Sequence, residues 1–324
     1  MKKNDKVLLV DGLNTFLRSF AMVKQLNPQG HHVGGLVGFL KSLSHMVRVV
    51  QPSRVICIFD GRGSSTNRKN LDPEYKANRK IAKITQWEIF NSLEEEKESI
   101  TNQLGRLHNY LELIPVHTLQ IDKLEADDVI AALSKKLSAA GKKVVIASSD
   151  RDFIQLIDSN ITVYSPIKKK FYTPEKVLEE YGITPKNFIY MKCLLGDTSD
   201  NIRGVKGVGP KTIEKQFPEL AEDEEFTLEK IYTKASSMMS ESKKAYAKIV
   251  YDWDRIELNY KLMSLHEIEL GQYEQDIVAN TLSSPIPKMN TFIFKTYLNE
   301  DGINDITRDT QTWLHTFGYL SKIK

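Results

Sequence analysis

Short apolar runs alternate, through the first half of this chain, with stretches whose apolar residues recur every three or four positions. Val7-Leu8-Leu9-Val10, Val55–Phe59, Val116–Ile121, Val144–Ala147 and Ile161–Tyr164 have the length and β-branched content of buried strands. Between them, Asn14–Met22, about Gly35–Val50, Trp87–Leu113 and Asp127–Ala140 show helical spacing. In the second of these, Leu36, Phe39, Leu40, Leu43 and Val47 share one face, which reads as core packing. The stretch 87–113 reads as one long helix with a charged face that includes Glu94-Glu95-Glu96-Lys97-Glu98. The helix from Asp127 stops near Gly141, a suitable C-cap. Strands alternating with helices predict a mostly parallel α/β sheet flanked by helices.

Other segments lack that alternation. Residues 61 to about 85 are polar, basic and poorly periodic, and a connection of that length is functional or disordered. Asp150-Arg151-Asp152 opens a short helix through about Ile157. Pro174 and Pro185 precede helical stretches at Glu175–Tyr181 and Lys186–Leu195, and Ile213–Phe217 follows a glycine-rich turn. Beyond about residue 222 the chain reads as mostly helical and carries no legible chemistry, with Trp253 and Phe294 read as packing residues. Ser283-Ser284-Pro285-Ile286-Pro287 reads as a linker before a last small helical element.

Carboxylates sit where the apolar runs end. Asp11 follows the first strand and Asp60 the second; Glu125, Asp127 and Asp128 open a helix; Asp150 and Asp152 follow the strand at 144–147. Asp197 and Asp200 follow Leu194-Leu195. The helix dipole accounts for one or two acids at a helix start, not for the recurrence. Parallel strands would bring these ends to one edge of the sheet. Converging carboxylates repel one another, and the expected compensation is a hard divalent cation, above all Mg²⁺.

Composition adds the partner. The chain has 324 residues, 41% hydrophobic and 27% charged, as ordinary globular proteins do. Its net charge of +3 is too mild to prove a nucleic-acid partner. Between Arg62 and Lys83, however, seven basic residues face two acids. A basic segment beside an acidic pocket suggests a polyanionic substrate that needs metal. Tyr75 stands among those bases, and aromatic plus basic residues suit a single strand threading past. Gly204, Gly207 and Gly209 precede Pro210-Lys211-Thr212 in a turn that can present N–H groups to a phosphate backbone. It is not a Walker A loop, because the Gly-Lys-Ser/Thr order is absent. Two cysteines, with no zinc spacing, no long apolar span and no apolar leader, read as an intracellular, reducing setting.

Val10-Asp11-Gly12, Phe59-Asp60-Gly61, Glu74-Tyr75-Lys76-Ala77-Asn78-Arg79, Glu125-Ala126-Asp127-Asp128, Ser149-Asp150-Arg151-Asp152 and Gly196-Asp197-Thr198-Ser199-Asp200-Asn201-Ile202, in that order, resemble the structure-specific 5′ nuclease superfamily. The superfamily includes flap endonucleases, phage 5′→3′ exonucleases and the 5′ nuclease domain of bacterial DNA polymerase I. The resemblance covers roughly residues 5 to 265, and the size and the Pro285-Ile286-Pro287 region look most like the T-even-phage RNase H type, which removes RNA primers.

That resemblance implies a PIN-like α/β core over 1–195 with a helical arch at about 61–97. It implies a helix–hairpin–helix region over 196–265 and a smaller helical extension over 266–324. It implies a first metal group of Asp11, Asp60, Glu125, Asp127, Asp128 and Asp150, and a second of Asp152, Asp197 and Asp200. Two Mg²⁺ ions, replaceable by Mn²⁺, would act there. Lys76 and Arg79 match the basic residues that contact the scissile phosphate, and Tyr75 matches an aromatic beside them. Arg18 and Lys80 are further candidate DNA contacts. Gly204, Gly207, Gly209, Lys211 and Thr212 match the element that grips duplex DNA and binds K⁺ in relatives. The implied activity is hydrolysis of phosphodiesters near 5′ ends, nicks or flaps of DNA and RNA–DNA hybrids. The implied setting is the cytoplasm during phage DNA replication, as a monomer beside a single-strand-binding protein or clamp. Competing readings are a PIN-type endoribonuclease, a non-catalytic junction binder and a receiver-type phosphoacceptor. The glycine turn and long basic insertion argue against the first. The size of the acidic set argues against the other two.

Overall fold

The computed structural model describes residues 5–80, 84–222, 224, 226–239 and 244–322, without the side chains of Arg79 and Lys80. Its centre is a six-stranded sheet of β1 (Lys6–Asp11), β2 (Arg54–Asp60), β3 (His117–Ile121), β4 (Lys143–Ala147), β5 (Ile161–Ser165) and β6 (Lys170–Tyr172). The order is β3-β2-β1-β4-β5-β6, parallel except for β6, which pairs antiparallel with β5. The apolar runs predicted the five parallel strands; the charged strand Lys170-Phe171-Tyr172 gave no such signal.

Successive residues of a strand face opposite layers. Val7, Leu9, Ile56 and Ile58 enter one hydrophobic core, and Leu8, Val10, Cys57 and Phe59 enter the other. Burial on both faces is why these strands are apolar throughout rather than alternating. The second core is covered by α1 (Gly12–Met22), α2 (Gly34–Val50) and, after the short α3 (Thr66–Leu71), by α4 (Leu93–Glu112). The first is covered by α5 (Ala126–Ala139), α6 (Pro174–Tyr181), α7 (Phe188–Leu195) and α8 (Pro210–Gln216). Helices α9 (Leu228–Ser237), α10 (Lys244–Tyr251), α11 (Trp253–Met263) and α12 (Gln272–Ser283) extend that layer.

The last two helices, α13 (Thr291–Glu300) and α14 (Thr310–Leu320), return to the opposite face. Phe294, Leu298, Ile303, Trp313, Phe317 and Leu320 are buried in the core that α2 and α4 share. Arg106 of α4 holds Asp301 at 2.9 Å and Glu300 at 2.7 Å, and the Tyr110 hydroxyl donates to Asp301 at 2.6 Å. Phe294 is thus a packing residue, as expected.

Two expectations are corrected. The helix read over 87–113 begins only at Leu93. Ser92 is its N-cap, with extended backbone and a hydroxyl that accepts from the Glu95 N–H at 3.1 Å. Ser92-Leu93-Glu94-Glu95 is a capping-box sequence, and the Glu95 carboxylate in turn accepts from the Asn91 N–H. Periodicity ran through a stop signal that local chemistry enforces. Conversely, the aperiodic stretch 61–85 contains α3 and a 3₁₀ turn at Ala77–Lys80. Residues 81–83 lie outside the described residues. No helix among the described residues is long and apolar enough to cross a membrane.

Candidate active site

The strand order reverses at β1, whose neighbours are β2 on one side and β4 on the other. Ligands bind at such switch points, beyond the carboxyl ends of the strands. Asp11 ends β1, Asp60 ends β2, and Asp150 follows β4. The tight Asp60-Gly61 corner has a packing cause: a Cβ on Gly61 would lie 1.8 Å from the Ile121 carbonyl oxygen.

Asp11 is buried and caps α1, accepting from the Asn14 N–H at 3.2 Å and from the Ser148 hydroxyl at 2.9 Å. The Ser148 hydroxyl also accepts from the Asp150 N–H at 3.0 Å, which ties β4's end to β1's. Asp60 accepts from the Ala126 N–H at 2.7 Å, which seats the first turn of α5 against β2. Asp127 therefore projects toward Asp11 and Asp150. Burial, then repulsion from Asp150 and Asp60, outweighs the bonds from Ser148 and Asn14 and pushes Asp11 up to about 7. Burial, with Asp150 and Asp11 adding to it, raises Asp127 well above the usual carboxylate range. Asp150 is raised by burial and by Asp200 and Asp197, against Lys192 and Lys76.

Glu125 and Asp128 are handled differently. Glu125 accepts from Arg68 at 3.1 Å, the Tyr75 hydroxyl at 3.1 Å and Lys76 at 3.0 Å. Asp128 takes the same guanidinium through both oxygens, at 2.6 and 2.9 Å. It lines a separate hollow with Leu124, Tyr260 and Ser264. Of the expected first metal group, Asp128 is the member that faces away. The helix twist explains this: successive residues of α5 point about 100° apart, so Asp127 and Asp128 cannot both face the sheet edge.

The second expected group sits on a small hairpin. Gly196–Asp197 and Ile202–Arg203 form β7 and β8, held from behind by buried Asn259, which donates to the carbonyls of Cys193 and Arg203. Gly204 has no room for a side chain, since a Cβ would lie 2.1 Å from the Leu195 carbonyl oxygen. Lys192, buried in the otherwise apolar α7, holds Asp197 at 2.8 Å and also contacts Asp152. Burial pushes Asp197 up, but Lys192 and Ser199 outweigh it and bring it down to about 2. The sequence signal for Lys192 is slight: it is the lone cation within the apolar Phe188–Leu195. In sequence Arg68 is one base among seven, and its role has no sequence signal, because its partners lie 57 and 60 residues away.

The segment after α3 docks on this hairpin. The Lys76 N–H donates to the Asp200 carbonyl at 2.8 Å, Asn78 to the Thr198 carbonyl, and Asn201 to the Glu74 carbonyl. Lys76 has a φ of 56°, a strained value for a side-chain-bearing residue. The Tyr75 ring is only 3% exposed and its hydroxyl serves Glu125. It does not offer a face to a strand, which corrects the expectation of a stacking aromatic; the buried ring packs in the first core. The backbones of Arg79 and Lys80 lie in the 3₁₀ turn, and their side chains are outside the described residues.

A cleft of about 1000 Å³ opens from the acidic edge, lined by Asn14, Arg18, Asp150, Lys192, Asp197 and Lys211. Arg18 reaches across it to the Ser149 hydroxyl at 2.9 Å. Gly207 and Lys211 are exposed, and Gly209 and Thr212 half-buried, at the start of α8.

The donor set is all carboxylate oxygen, and its central members repel one another, which is the chemistry a hard divalent cation fits. Among the described residues, no three His, Cys, Asp or Glu side chains stand ready-arranged around a metal position. Glu125, Asp152 and Asp197 turn their oxygens to Lys76, Arg68 and Lys192 instead.

Two family models together match most of the chain. One, described as 5′-3′ exonuclease, N-terminal resolvase-like domain, matches residues 6–182; the other, 5′-3′ exonuclease, C-terminal SAM fold, matches 183–281. A 5′-3′ exonuclease of Buchnera aphidicola subsp. Acyrthosiphon pisum is 31% identical over 305 residues, 92% of this chain and 98% of that protein. A Bacillus subtilis DNA polymerase I is 34% identical over 225 residues, 67% of this chain but 24% of the polymerase. Among solved structures, the bacteriophage T5 D15 flap endonuclease with DNA and metal ions superposes with a TM-score of 0.63 at 20% identity, covering 91% of this chain and 99% of that one. At that identity the likeness is one of fold.

Proposed function

This chain belongs to the 5′-3′ exonuclease family of the structure-specific 5′ nucleases and is itself a nuclease, and we propose that it hydrolyses phosphodiesters next to 5′ ends, nicks and flaps of DNA and RNA–DNA hybrids. The observation that carries the reading is the convergence of Asp11, Asp60, Asp127 and Asp150 at the switch point of the sheet, opening into a cleft lined by Arg18, Lys192 and Lys211.

Asp11, Asp60, Glu125, Asp127 and Asp150 would hold one divalent cation and Asp152, Asp197 and Asp200 a second. Mg²⁺ suits these donors, with Mn²⁺ as substitute; such ions make water acidic and stabilise charge on a departing oxygen. Asp128 acts through Arg68, which it aims at Glu125. Lys76 is placed to trade Glu125 for a phosphate oxygen of the bound strand, and Arg79 follows it one 3₁₀ turn later. Arg18 and Lys211 neutralise neighbouring phosphates on either side of the cleft. Gly204, Gly207, Gly209 and Thr212 present the turn into α8 to the duplex, with K⁺ as its expected ion.

A phosphate in an intact duplex is held away from the carboxylates, and freeing the terminal bases costs a few kcal/mol. Ends and junctions, where that cost is already met, are therefore preferred. We infer further that contacts made to phosphates rather than to sugars let the 5′ strand be RNA as well as DNA, which suits primer removal. That a DNA polymerase I carries a matching segment supports a role in replication.

The test is a 5′-labelled set of blunt duplex, nicked duplex, 5′ flap, RNA–DNA hybrid and single strand, with Mg²⁺ or EDTA. Short 5′ products from nick, flap and hybrid, abolished by EDTA and by Asp60→Asn, are expected. Cleavage of single-stranded RNA alone, or wild-type rates in Asp60→Asn, would overturn the reading.

A further inference from the structure

Residues 85–90 are fastened to α1 more firmly than a connecting loop needs. Buried Gln86 donates from Nε2 to the carbonyls of Phe20 at 2.9 Å and Ala21 at 2.6 Å. The N–H groups of Thr85 and Gln86 both donate to the buried carboxylate of Glu96, at 2.8 and 2.9 Å. Phe90 lies stacked on Phe20, with centroids 5.9 Å apart and planes 5° from parallel. Glu88 pairs with Lys24 at 2.6 Å. In the middle of this mounted stretch Trp87 is 72% exposed. Since residues 86 and 88 grip residues 20, 21 and 24, Trp87 runs alongside the end of α1, where Met22 is 77% exposed. Met22 stands one helical turn beyond Arg18 on the same face of α1, and Arg18 lines the cleft.

We propose that Trp87, held against the end of α1, stacks an unpaired base of the strand whose phosphates lie in the cleft, and so favours substrates with a single-stranded segment over flush ends. This rests on the nuclease reading above. Continuity with the cleft selects the occupant. Helix α1 begins at the Asp11 cap, carries Arg18 on the cleft wall and ends at the patch, a span of about 16 Å for its 11 residues. At about 3.4 Å per stacked nucleotide, that is roughly five nucleotides from the acidic site. Charge agrees: Arg18 lies on the path, and Lys24 pairs with Glu88, the residue after Trp87. Base stacking on an aromatic ring tolerates any sequence, as a junction-directed enzyme requires.

The experiment measures binding of the full-length protein in EDTA to a junction whose 5′ flap, about five nucleotides long, is either base-bearing or abasic. Abasic residues keep the phosphates and remove the stacking faces. Wild-type protein is expected to bind the base-bearing flap about tenfold more tightly than the abasic one. Trp87→Ala should bind both alike, at the wild-type abasic level, and Trp87→Phe should recover most of the difference. Equal wild-type affinity for the two flaps would overturn the proposal without any variant. So would an undiminished preference in Trp87→Ala. Failure of the nuclease reading shows separately, as absent flap cleavage in Mg²⁺ by a wild-type protein that still prefers the base-bearing flap.

Discussion

Asp127 and Asp197 lie at the same edge of the same fold, yet their surroundings push them in opposite directions. Around Asp11, Asp127 and Asp150, burial and like charges hold the carboxylates up, and among the described residues no lysine or arginine forms an ion pair with them. Around Asp152 and Asp197, Lys192 supplies the positive charge from within the fold. The difference teaches where a ligand's charge is wanted. On the reading proposed above, the first group is destabilising until a cation arrives, whereas the second is already compensated by the protein.

The largest effect should come from the first group. Asp127→Asn or Asp150→Asn should lower Mg²⁺-dependent cleavage by at least about 100-fold, the upper end seen for residues one layer further from a metal. In EDTA the same variants should melt higher, by about 2 °C for each kcal/mol of repulsion removed. A lower Tm in EDTA would break the comparison, because it would mean these carboxylates stabilise the fold on their own.

Lys192→Met reverses the sign. It leaves two partly buried carboxylates without their cation and should destabilise by about 2 kcal/mol, less than the 3–5 typical of fully buried pairs. Asp152→Asn in that background should recover part of the loss, and urea denaturation of the four proteins closes the cycle. An unchanged single variant would show that Lys192 compensates nothing. Tyr75→Phe is subtler: it keeps the buried ring and removes the hydroxyl that Glu125 and Asp200 share, worth about 1 kcal/mol. If its denaturation midpoint does not move, Glu125 is held by Arg68 and Lys76 alone.

His117, at the start of β3, shows burial acting on a cation instead. Burial, with Arg54 adding to it, pushes His117 down to about 4 from 6.5. The unfolded chain therefore takes up a proton below pH 6.5 that the folded chain refuses. Stability should be unaffected by this group above pH 7 and fall as pH drops from 6.5 towards 4. Replacing His117 with Gln should flatten that limb of a denaturation series, the smallest of these effects.

Residues near one another in sequence were read well, and residues brought together by folding were not. The five apolar runs and the acids that end them are local patterns, and a parallel sheet carries them to one edge without further information. The Ser92 cap is equally local, in the four residues Ser92 to Glu95, but helical spacing runs on through it and hides it. Tyr75 reads as a contact residue by its basic neighbours, but its ring is claimed by a core that those neighbours do not share.

The sequence by itself determined which residue types stand at the ends of the strands, because strand length and burial on both faces are written in consecutive positions. It determined the family on the same evidence, since the acidic motifs occur in order along the chain. Only the tertiary structure decided how each carboxylate is held. Arg68 reaches Asp128 across 60 residues and Lys192 reaches Asp152 across 40. The return of α13 and α14 to the core of α2 and α4 was decided there too. Electrostatic and packing energies depend on distance in space, and chain order fixes that distance only within an element.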